Sequence, residues 1–277
     1  LAPDLIYTRM DLYAPFVAGL MRRIPAVMEV NTDDIEEFRL GSAARYIFHR
    51  LTRGFMLKSA RGLVFVTKEL SERPHFARFR AKKKVIANGI RLDQAALAGG
   101  AGADKPDRDQ AAASDGAEEA GSGRVRLIFI GTDGQPWHGV DKIERMAEAF
   151  PEWLFDVVGI TKGNAASRPN VVFHGFLDRK QYDRLLRRAD AAIGTLALHR
   201  KNMNEACPLK VREYLAYGLP VILGHEDTDF LGRDEDFLLK LPNREDNVSA
   251  NLDAIERFVL RNRGRKVPKE RILHLDS

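Results

Sequence analysis

Short apolar runs and amphipathic stretches alternate along most of the chain. Before residue 95, apolar runs predict strands at 4–8, 25–30, 62–66 and 84–88, and helical patterns lie at 12–22 and 42–59. After residue 123, the predicted strands are 125–131, 154–159, 170–175, 191–195 and 220–224, with helices near 139–149, 178–189, 208–218 and 246–262. Strands in rotation with helices are typical of parallel sheets with right-handed crossovers. The pattern therefore predicts an α/β protein whose ligands bind at the carboxyl ends of its strands.

The stretch between these two halves has a different composition. Residues 95–123 are rich in Ala, Gly and Asp and hold no large apolar residue after Leu97. Such a segment cannot bury enough surface to order itself, so it is predicted to be a disordered linker or insert. The expected domains are 1–94 and 124–277, each Rossmann-like, with a cleft between them.

Composition narrows the class of protein. The chain has 277 residues, of which 44% are hydrophobic, and no apolar run reaches the 18 or more residues of a membrane span. The single cysteine, Cys207, excludes an internal disulfide framework and fits a reducing compartment. No metal-binding spacing of Cys and His is present, so we expect no structural metal site.

Positive charge is concentrated in the first third of the chain. Residues 1–95 contain 17 Lys and Arg against 10 Asp and Glu, a net charge of +7, so the remainder carries −2 of the total +5. Segments 45–62 and 73–84 mix these cations with aromatic and aliphatic residues. This mixture indicates either a surface for anionic lipid, with Arg50, Arg53 and Lys58 as contacts, or the solvated side of a packed helix. Nucleic acid is not expected as a partner, because no nucleic-acid-binding motif accompanies the charge.

The most informative stretch is "NEACPLKVREYLAYGLPVI", residues 204–222. Proline is favoured at the first helical position, so a helix is predicted to start at Pro208. Glu205 then lies in the loop before this helix and Glu213 in its second turn. The helix start offers free N–H groups, and Lys210 adds a full charge, which together suit a phosphate. Two carboxylates around an anion site are typical of a nucleotide-sugar pocket.

Taken together, the motifs resemble those of the retaining glycosyltransferases of family 4, which have the two-Rossmann GT-B fold. The resemblance rests on the Glu205-x₇-Glu213 spacing and on five further segments: "FIGTDGQPWHGVDKI" (129–143), "VVGI" (157–160), "NVVFHGFLDRKQYDRLLRRADAAI" (170–193), "KVIANGIRLD" (84–93) and "IPAVMEVNTDD" (24–34). It implies a GT-B-like chain with an incomplete N-terminal domain.

The resemblance also implies roles for individual residues. Glu213 would bind the ribose hydroxyls, and Glu205 would face the donor sugar. Lys210, the Leu209 amide and the loop Gly131 to Gly139 would approach the diphosphate, and the base would lie near Phe176. The alternative for Lys210 and Glu213 is a surface ion pair of little energetic value.

Two departures from the family pattern concern side chains of the expected site. Thr132 and His138 stand where the family usually has an arginine and a lysine, so His138 becomes a candidate phosphate donor, and Arg200 with Lys201 a source of the missing charge. Asn31 stands where many relatives have a histidine. Arg9, Glu29 and Asn31 mark the expected acceptor side, with Glu29 either a proton carrier or an ion-pair partner of Arg9 or Arg23. The catalytic candidates are Glu205, Lys210 and His138.

The predicted activity is transfer of a sugar from a nucleotide sugar to a hydroxyl acceptor, soluble or lipid-linked, with retention and without a metal or cofactor. Synthesis of lipopolysaccharide or another cell-surface polysaccharide, on the cytoplasmic face of the membrane, suits the basic N-terminal surface. Two alternatives stay open. One is a nucleotide-sugar epimerase of the same fold, and the other is a truncated or degenerate relative that binds nucleotide without turnover.

Overall fold

Two parallel sheets form the framework of the computed structural model, which describes residues 3–92, 123–161 and 168–276. The first sheet has the strand order β1-β2-β3-β4, with β1 (Ile6–Arg9), β2 (Ala26–Val30), β3 (Gly62–Phe65) and β4 (Lys82–Val85). Its neighbouring strands are parallel. The helices of this half are α1 (Pro15–Arg23), α2 (Asp34–Arg39), α3 (Ala43–Ser59), α4 (Lys68–Glu72) and α5 (Pro74–Ala77).

The second sheet has six strands in the order β12-β10-β8-β5-β6-β7, and all of its pairs are parallel. The strands after residue 123 are β5 (Arg126–Ile130), β6 (Leu154–Val158), β7 (Val171–Gly175), β8 (Ala191–Ile193), β9 (Glu205–Ala206), β10 (Val221–Leu223), β11 (Glu226–Asp227) and β12 (Leu238–Lys240). The helices are α6 (Val140–Ala149), α7 (Arg179–Arg188), α8 (Leu209–Ala216) and α9 (Leu252–Asn262). Strands β9 and β11 pair with each other as a separate parallel ribbon.

Hydrophobic periodicity explains why these elements form. Strand β2 buries alternate residues, Ala26, Met28 and Val30, which pack in one core with Met56 and Leu57 of α3. The central strands of the second sheet are buried on both faces, because helices cover both sides of it. The predicted α/β fold class with parallel sheets is therefore confirmed.

The second sheet contains a topological switch point beside β5. From β5 the chain continues to β6 and β7 on one side, and then returns to β8 on the other side. The loops after β5 and β8 consequently diverge and leave a crevice at the carboxyl ends of these two strands. This is the usual ligand position in an open parallel sheet.

Several predicted boundaries differ from the structure. Strand β4 spans Lys82–Val85 rather than the predicted 84–88. All four of its side chains are exposed, so its bounds follow from backbone pairing with β3 and not from a run of apolar residues. The helix after Cys207 begins at Leu209, with Pro208 as its N-cap. The proposed linker, apart from Gly123, lies outside the described residues.

One cation of helix α3 is buried, whereas the sequence predicted that it would lie on the surface. Arg53 is buried, and its guanidinium donates to both carboxylate oxygens of Asp34, with Nη2–Oδ1 at 2.9 Å. Its expected role as a surface contact for lipid is therefore wrong. Ile47 and Leu51 are instead exposed on the outer side of the helix. Among the described residues, no helix combines the length and apolar character that crossing a bilayer requires.

Candidate functional site

A cleft of about 250 Å³ lies between the two sheets, at the carboxyl ends of β1, β2, β5 and β8. The first-sheet side contributes Arg9, Asn31, Thr32, Glu37 and Asn88. The second-sheet side contributes Gln135, Trp137, His138, Thr195, Leu198, Lys201, Met203, Ala206, Cys207, Pro208, Leu209 and Lys210. The cleft thus contains the switch point of the second sheet and the start of α8.

The loop after β5 is held close to its neighbours by glycine. Gly139 has φ +74°, and a Cβ at this position would lie 3.0 Å from the Leu196 Cβ. At Gly131 a Cβ would lie 2.8 Å from Nδ1 of His138. These two positions therefore need glycine to keep His138 folded against the end of β5, while Thr132 between them is exposed.

His138 is a neutral group in this cleft. Burial, followed by the charges of Lys210 and Lys201, lowers the pKa of His138 to about 2. Among the described residues its buried Nδ1 has no hydrogen-bond partner. A neutral imidazole carries one N–H and one lone pair, so His138 has at most one N–H to offer either the Thr132 backbone or a ligand oxygen.

Lys210 directs its ammonium toward the end of β5. Its Nζ donates to the Ile130 carbonyl at 2.9 Å and lies 4.1 Å from the centroid of the Phe129 ring. Although part of the side chain is exposed, burial of the ammonium lowers the pKa of Lys210 to about 7. The remaining donors are available to an anion, next to the first N–H groups of α8, which lack partners within the helix.

Lys201 supplies a second ammonium to the lining of the cleft. Its Nζ donates to Oε2 of Glu37 at 2.8 Å and to Oγ1 of Thr32, and it lies 4.0 Å from the Trp137 ring centroid. Burial lowers the pKa of Lys201, although the Glu37 carboxylate opposes this effect. Lys201 therefore joins the second half of the chain to the first half at the cleft.

Arg200, which was predicted to bind the donor, does not line the cleft. Its guanidinium makes two hydrogen bonds of 2.8 Å to Asp141 and also binds Glu245. Residues Leu198–Lys201 form a 3-10 helix, in which neighbouring side chains point about 120° apart. Position 201 therefore enters the cleft while position 200 faces the outside.

The acceptor-side residues are divided between two locations. Arg9 and Asn31 line the cleft, and the buried Oδ1 of Asn31 has no hydrogen-bond partner among the described residues. Glu29 accepts a hydrogen bond of 2.6 Å from the Tyr7 hydroxyl and is not among the cleft residues. Burial and this bond raise the pKa of Tyr7 to about 12. The alternative role of Glu29, an ion pair with Arg9 or Arg23, does not occur among the ion pairs of the described residues.

A second cavity of about 420 Å³ adjoins the cleft and shares Arg9, Asn31, Thr32 and Glu37 with it. Its other lining residues are Thr8, Met10, Asp11, Asp34, Phe38 and His49. Burial would raise the pKa of Asp34, but hydrogen bonds from His49 (2.6 Å) and Arg53 outweigh it and lower that pKa. Asp34 is therefore an ionised, hydrogen-bonded group in the lining of this polar cavity.

Comparison with known proteins then defines the fold family. No protein-family model matches the sequence, and no curated protein matches it. Sucrose-phosphate synthase from Thermosynechococcus elongatus is similar over 94% of this chain and 65% of its own, with a TM-score of 0.62 and 15% identity. The enzymes of this comparison are GT-B glycosyltransferases. The chain has the GT-B fold.

Two further GT-B structures agree with this assignment. OtsA gives a TM-score of 0.60 at 14% identity, over 98% of this chain and 70% of its own. HepE from Anabaena, whose structure contains UDP-glucose, gives 0.55 at 13% identity, over 92% of this chain and 71% of its own. This chain thus spans about two thirds of the length of these three GT-B proteins.

Within this GT-B fold, Glu205 lies outside the cleft lining. Its carboxylate accepts hydrogen bonds from the backbone N–H groups of Lys68 (3.4 Å) and Glu69 (3.0 Å) at the start of α4. In return, Oε2 of Glu69 accepts from the N–H groups of Asn204 (2.9 Å) and Glu205 (2.7 Å). Glu205, which was predicted to face the donor sugar, therefore joins the two halves of the chain through hydrogen bonds.

Glu213 is also engaged with a neighbouring side chain. Its Oε1 lies 3.0 Å from Nη1 of Arg179, and the Tyr182 hydroxyl donates to it at 3.4 Å. Burial raises the pKa of Glu213, although the charge of Arg179 opposes this effect. The alternative ion pair with Lys210 is not formed. Phe176, the predicted base contact, is 92% exposed and offers a free aromatic face.

Proposed function

We propose that this chain is a glycosyltransferase that moves a sugar from a nucleotide diphosphate donor to a hydroxyl acceptor with retention. The observation that carries the proposal is the cleft itself. In it Lys210, Lys201, His138 and the N-terminus of α8 converge at the switch point of a GT-B fold. Two ammonium groups and a helix N-terminus suit a diphosphate, which is the leaving group of such a transfer.

The charge of the leaving group determines the proposed mechanism. As the bond from sugar to diphosphate breaks, negative charge grows on the phosphate oxygen, and Lys210 and Lys201 stabilise it. His138 donates one hydrogen bond as a neutral group. Among the described residues that line the cleft, Glu37 is the only carboxylate, and Lys201 already binds it. We therefore favour a front-face displacement, in which the departing diphosphate takes the acceptor proton.

The acceptor is proposed to enter through the second cavity. This cavity shares Arg9 and Asn31 with the cleft, so a hydroxyl bound there can reach the sugar. Its polar lining, with Asp11, Asp34 and His49, suits a hydroxylated molecule such as a sugar. The Oδ1 of Asn31 can accept a hydrogen bond from that hydroxyl.

The transfer is proposed to proceed without a metal ion or cofactor, because the two lysines supply the positive charge at the diphosphate. Asp33, Asp34 and His75 bring ligand atoms within 4.8 Å of one another. Arg73 lies 3.5 Å from Asp33, and Arg53 binds Asp34, so these carboxylates are already neutralised. We propose assembly of a cell-surface polysaccharide at the cytoplasmic membrane face as the setting.

Isothermal titration tests the donor site directly. The wild-type chain should bind one of UDP, GDP or ADP, or a sugar conjugate of it, at micromolar to millimolar strength. Glu213→Ala should weaken this binding by about 1–3 kcal/mol, because the ribose hydroxyls lose a charged acceptor. Glu270→Ala, at an exposed site in the C-terminal segment, is the matched control and should leave affinity unchanged.

Two results would count against these assignments. If none of the nucleotides binds, the proposed function is wrong. If Glu213→Ala binds as tightly as the wild type, the ribose contact lies elsewhere. Retention is checked separately, by NMR of the anomeric configuration of the product.

A further inference from the structure

A groove of about 1000 Å³ lies at the other end of the first sheet. It is formed by the C-terminal part of α3, by the two residues after this helix, and by the segment 78–82, whose last residue begins β4. These positions adjoin Gly62 and Lys82, the first residues of β3 and β4, whereas the cleft lies beyond the last residues of β1 and β2. In a parallel sheet these are opposite ends, so the groove is separate from the donor and acceptor cavities.

The rim of this groove is strongly cationic. Five exposed cations line it, namely Lys58, Arg61, Arg78, Arg80 and Lys82. No carboxylate is among the described residues that line the groove, and none of these five forms an ion pair within the described chain. Five like charges around one groove repel each other, so a bound anion would relieve the repulsion.

The floor of the groove is apolar. Leu57, Ala60 and Phe79 are all buried beneath the cations. An inorganic anion would use the rim but not this floor. The lining therefore suits a ligand that carries a phosphate on an apolar body.

Helix α3 continues this apolar character toward solvent. Ile47, Leu51 and Phe55 recur every four residues along one side of the helix and are 57%, 74% and 49% exposed. Lys58, three residues after Phe55, brings the same side of the helix to the groove. An exposed apolar stripe ending at a cluster of cations is the arrangement of a helix at a membrane interface.

We propose that the groove binds the phosphate head group of an anionic phospholipid while the α3 stripe rests among the acyl chains. The proposal rests on the proposed membrane setting but not on transferase activity. It replaces the diffuse basic surface expected from the sequence, in which Arg53 took part, with a defined site. Each Lys or Arg beside an anionic surface contributes about fivefold in affinity, so removing three should weaken binding about a hundredfold.

Vesicle flotation compares two triple variants of equal charge at about 0.15 M salt. The groove variant is Lys58→Gln, Arg61→Gln and Lys82→Gln. The control is Arg22→Gln, Arg23→Gln and Lys83→Gln, which removes three exposed cations outside the groove. With vesicles of phosphatidylglycerol and phosphatidylcholine, the groove variant should lose at least about tenfold in affinity, and the control should change by less than about threefold.

Further measurements distinguish a defined lipid site from diffuse attraction by the net charge and from a site for a soluble phosphate. Leu51→Glu should also abolish binding, and vesicles of phosphatidylcholine alone should bind none of the proteins. Equal losses in the two triple variants, or release of the wild type by millimolar pyrophosphate, would overturn the proposal. UDP titration of the same variants keeps the two proposals apart, because loss of vesicle binding with intact UDP affinity concerns only the groove.

Discussion

The buried ammonium of Lys210 contributes little to the stability of the protein without a ligand. Its ammonium is buried over the Phe129 ring with the Ile130 carbonyl as its partner, and burial lowers its pKa to about 7. A carbonyl and a ring compensate only part of the hydration that a lysine loses on burial. A diphosphate beside Lys210 supplies the missing negative charge, so ligand binding and protonation of this side chain should be coupled.

This coupling predicts a pH dependence of nucleotide affinity. Below pH 7 Lys210 is protonated before the nucleoside diphosphate binds, whereas above pH 7 binding must also take up a proton. The affinity for whichever nucleoside diphosphate binds should therefore fall between pH 7 and pH 8.5, by at most about tenfold per pH unit. Isothermal titration across this range measures the slope.

The Lys210→Met variant is the control for this slope. It should bind UDP more weakly and with little pH dependence over the same range. His138 cannot produce the effect, because its pKa of about 2 keeps it neutral throughout. A slope that persists in Lys210→Met would assign the titration to another group.

The sequence predicted the elements better than it predicted the partners of their side chains. The strands of both sheets follow from short apolar runs, because burial on one or both faces fixes their periodicity. From the sequence, Glu205 was expected to face the donor sugar, Arg200 to supply charge for the donor, and Arg53 to contact anionic lipid. Each instead binds a group distant in the sequence: the α4 amides, Asp141 and Asp34. Such pairings depend on tertiary contact, which periodicity does not encode.

At the scale of elements, β9 and the start of α4 satisfy each other's polar groups. The Glu205 carboxylate receives two N–H groups of α4, and the Glu69 carboxylate receives two N–H groups of the β9 strand and the residue before it. Hydrogen bonds to a charged group contribute about 1.5–3 kcal/mol, and each partner left unpaired adds a desolvation cost. The exchange therefore makes a closed arrangement of the two halves more stable.

A double-mutant cycle on these glutamates tests this arrangement. Glu205→Ala and Glu69→Ala should each lower the free energy of unfolding by about 1.5–3 kcal/mol. The double variant should lose less than the sum, with a coupling of about 0.5–3 kcal/mol, because either deletion already loosens the same contact. Glu72→Ala, on the exposed side of α4, should cost little. Strict additivity would mean that the two carboxylates act independently.

For the whole molecule, contacts near the cleft join the two sheets. Lys201 binds Glu37, and the buried Arg212 donates to the Asn88 carbonyl at 3.1 Å. Arg212 also binds Asp227 and Asp229, so its charge is neutralised on the side of the second sheet. Groups from both sheets therefore define the geometry of the cleft.

Residues 95–123 are predicted to be replaceable. Their composition favours a chain without a core of its own, and a Gly/Ser segment of the same length reaches roughly 30 Å on average. Because the entropy of loop closure changes slowly with length and composition, the melting temperature and UDP affinity should match those of the wild type. Calorimetry and titration of the replacement measure both, with Lys210→Met as the reference for lost binding. Loss of UDP affinity to the level of that reference would show that this segment is a folded part of the donor site.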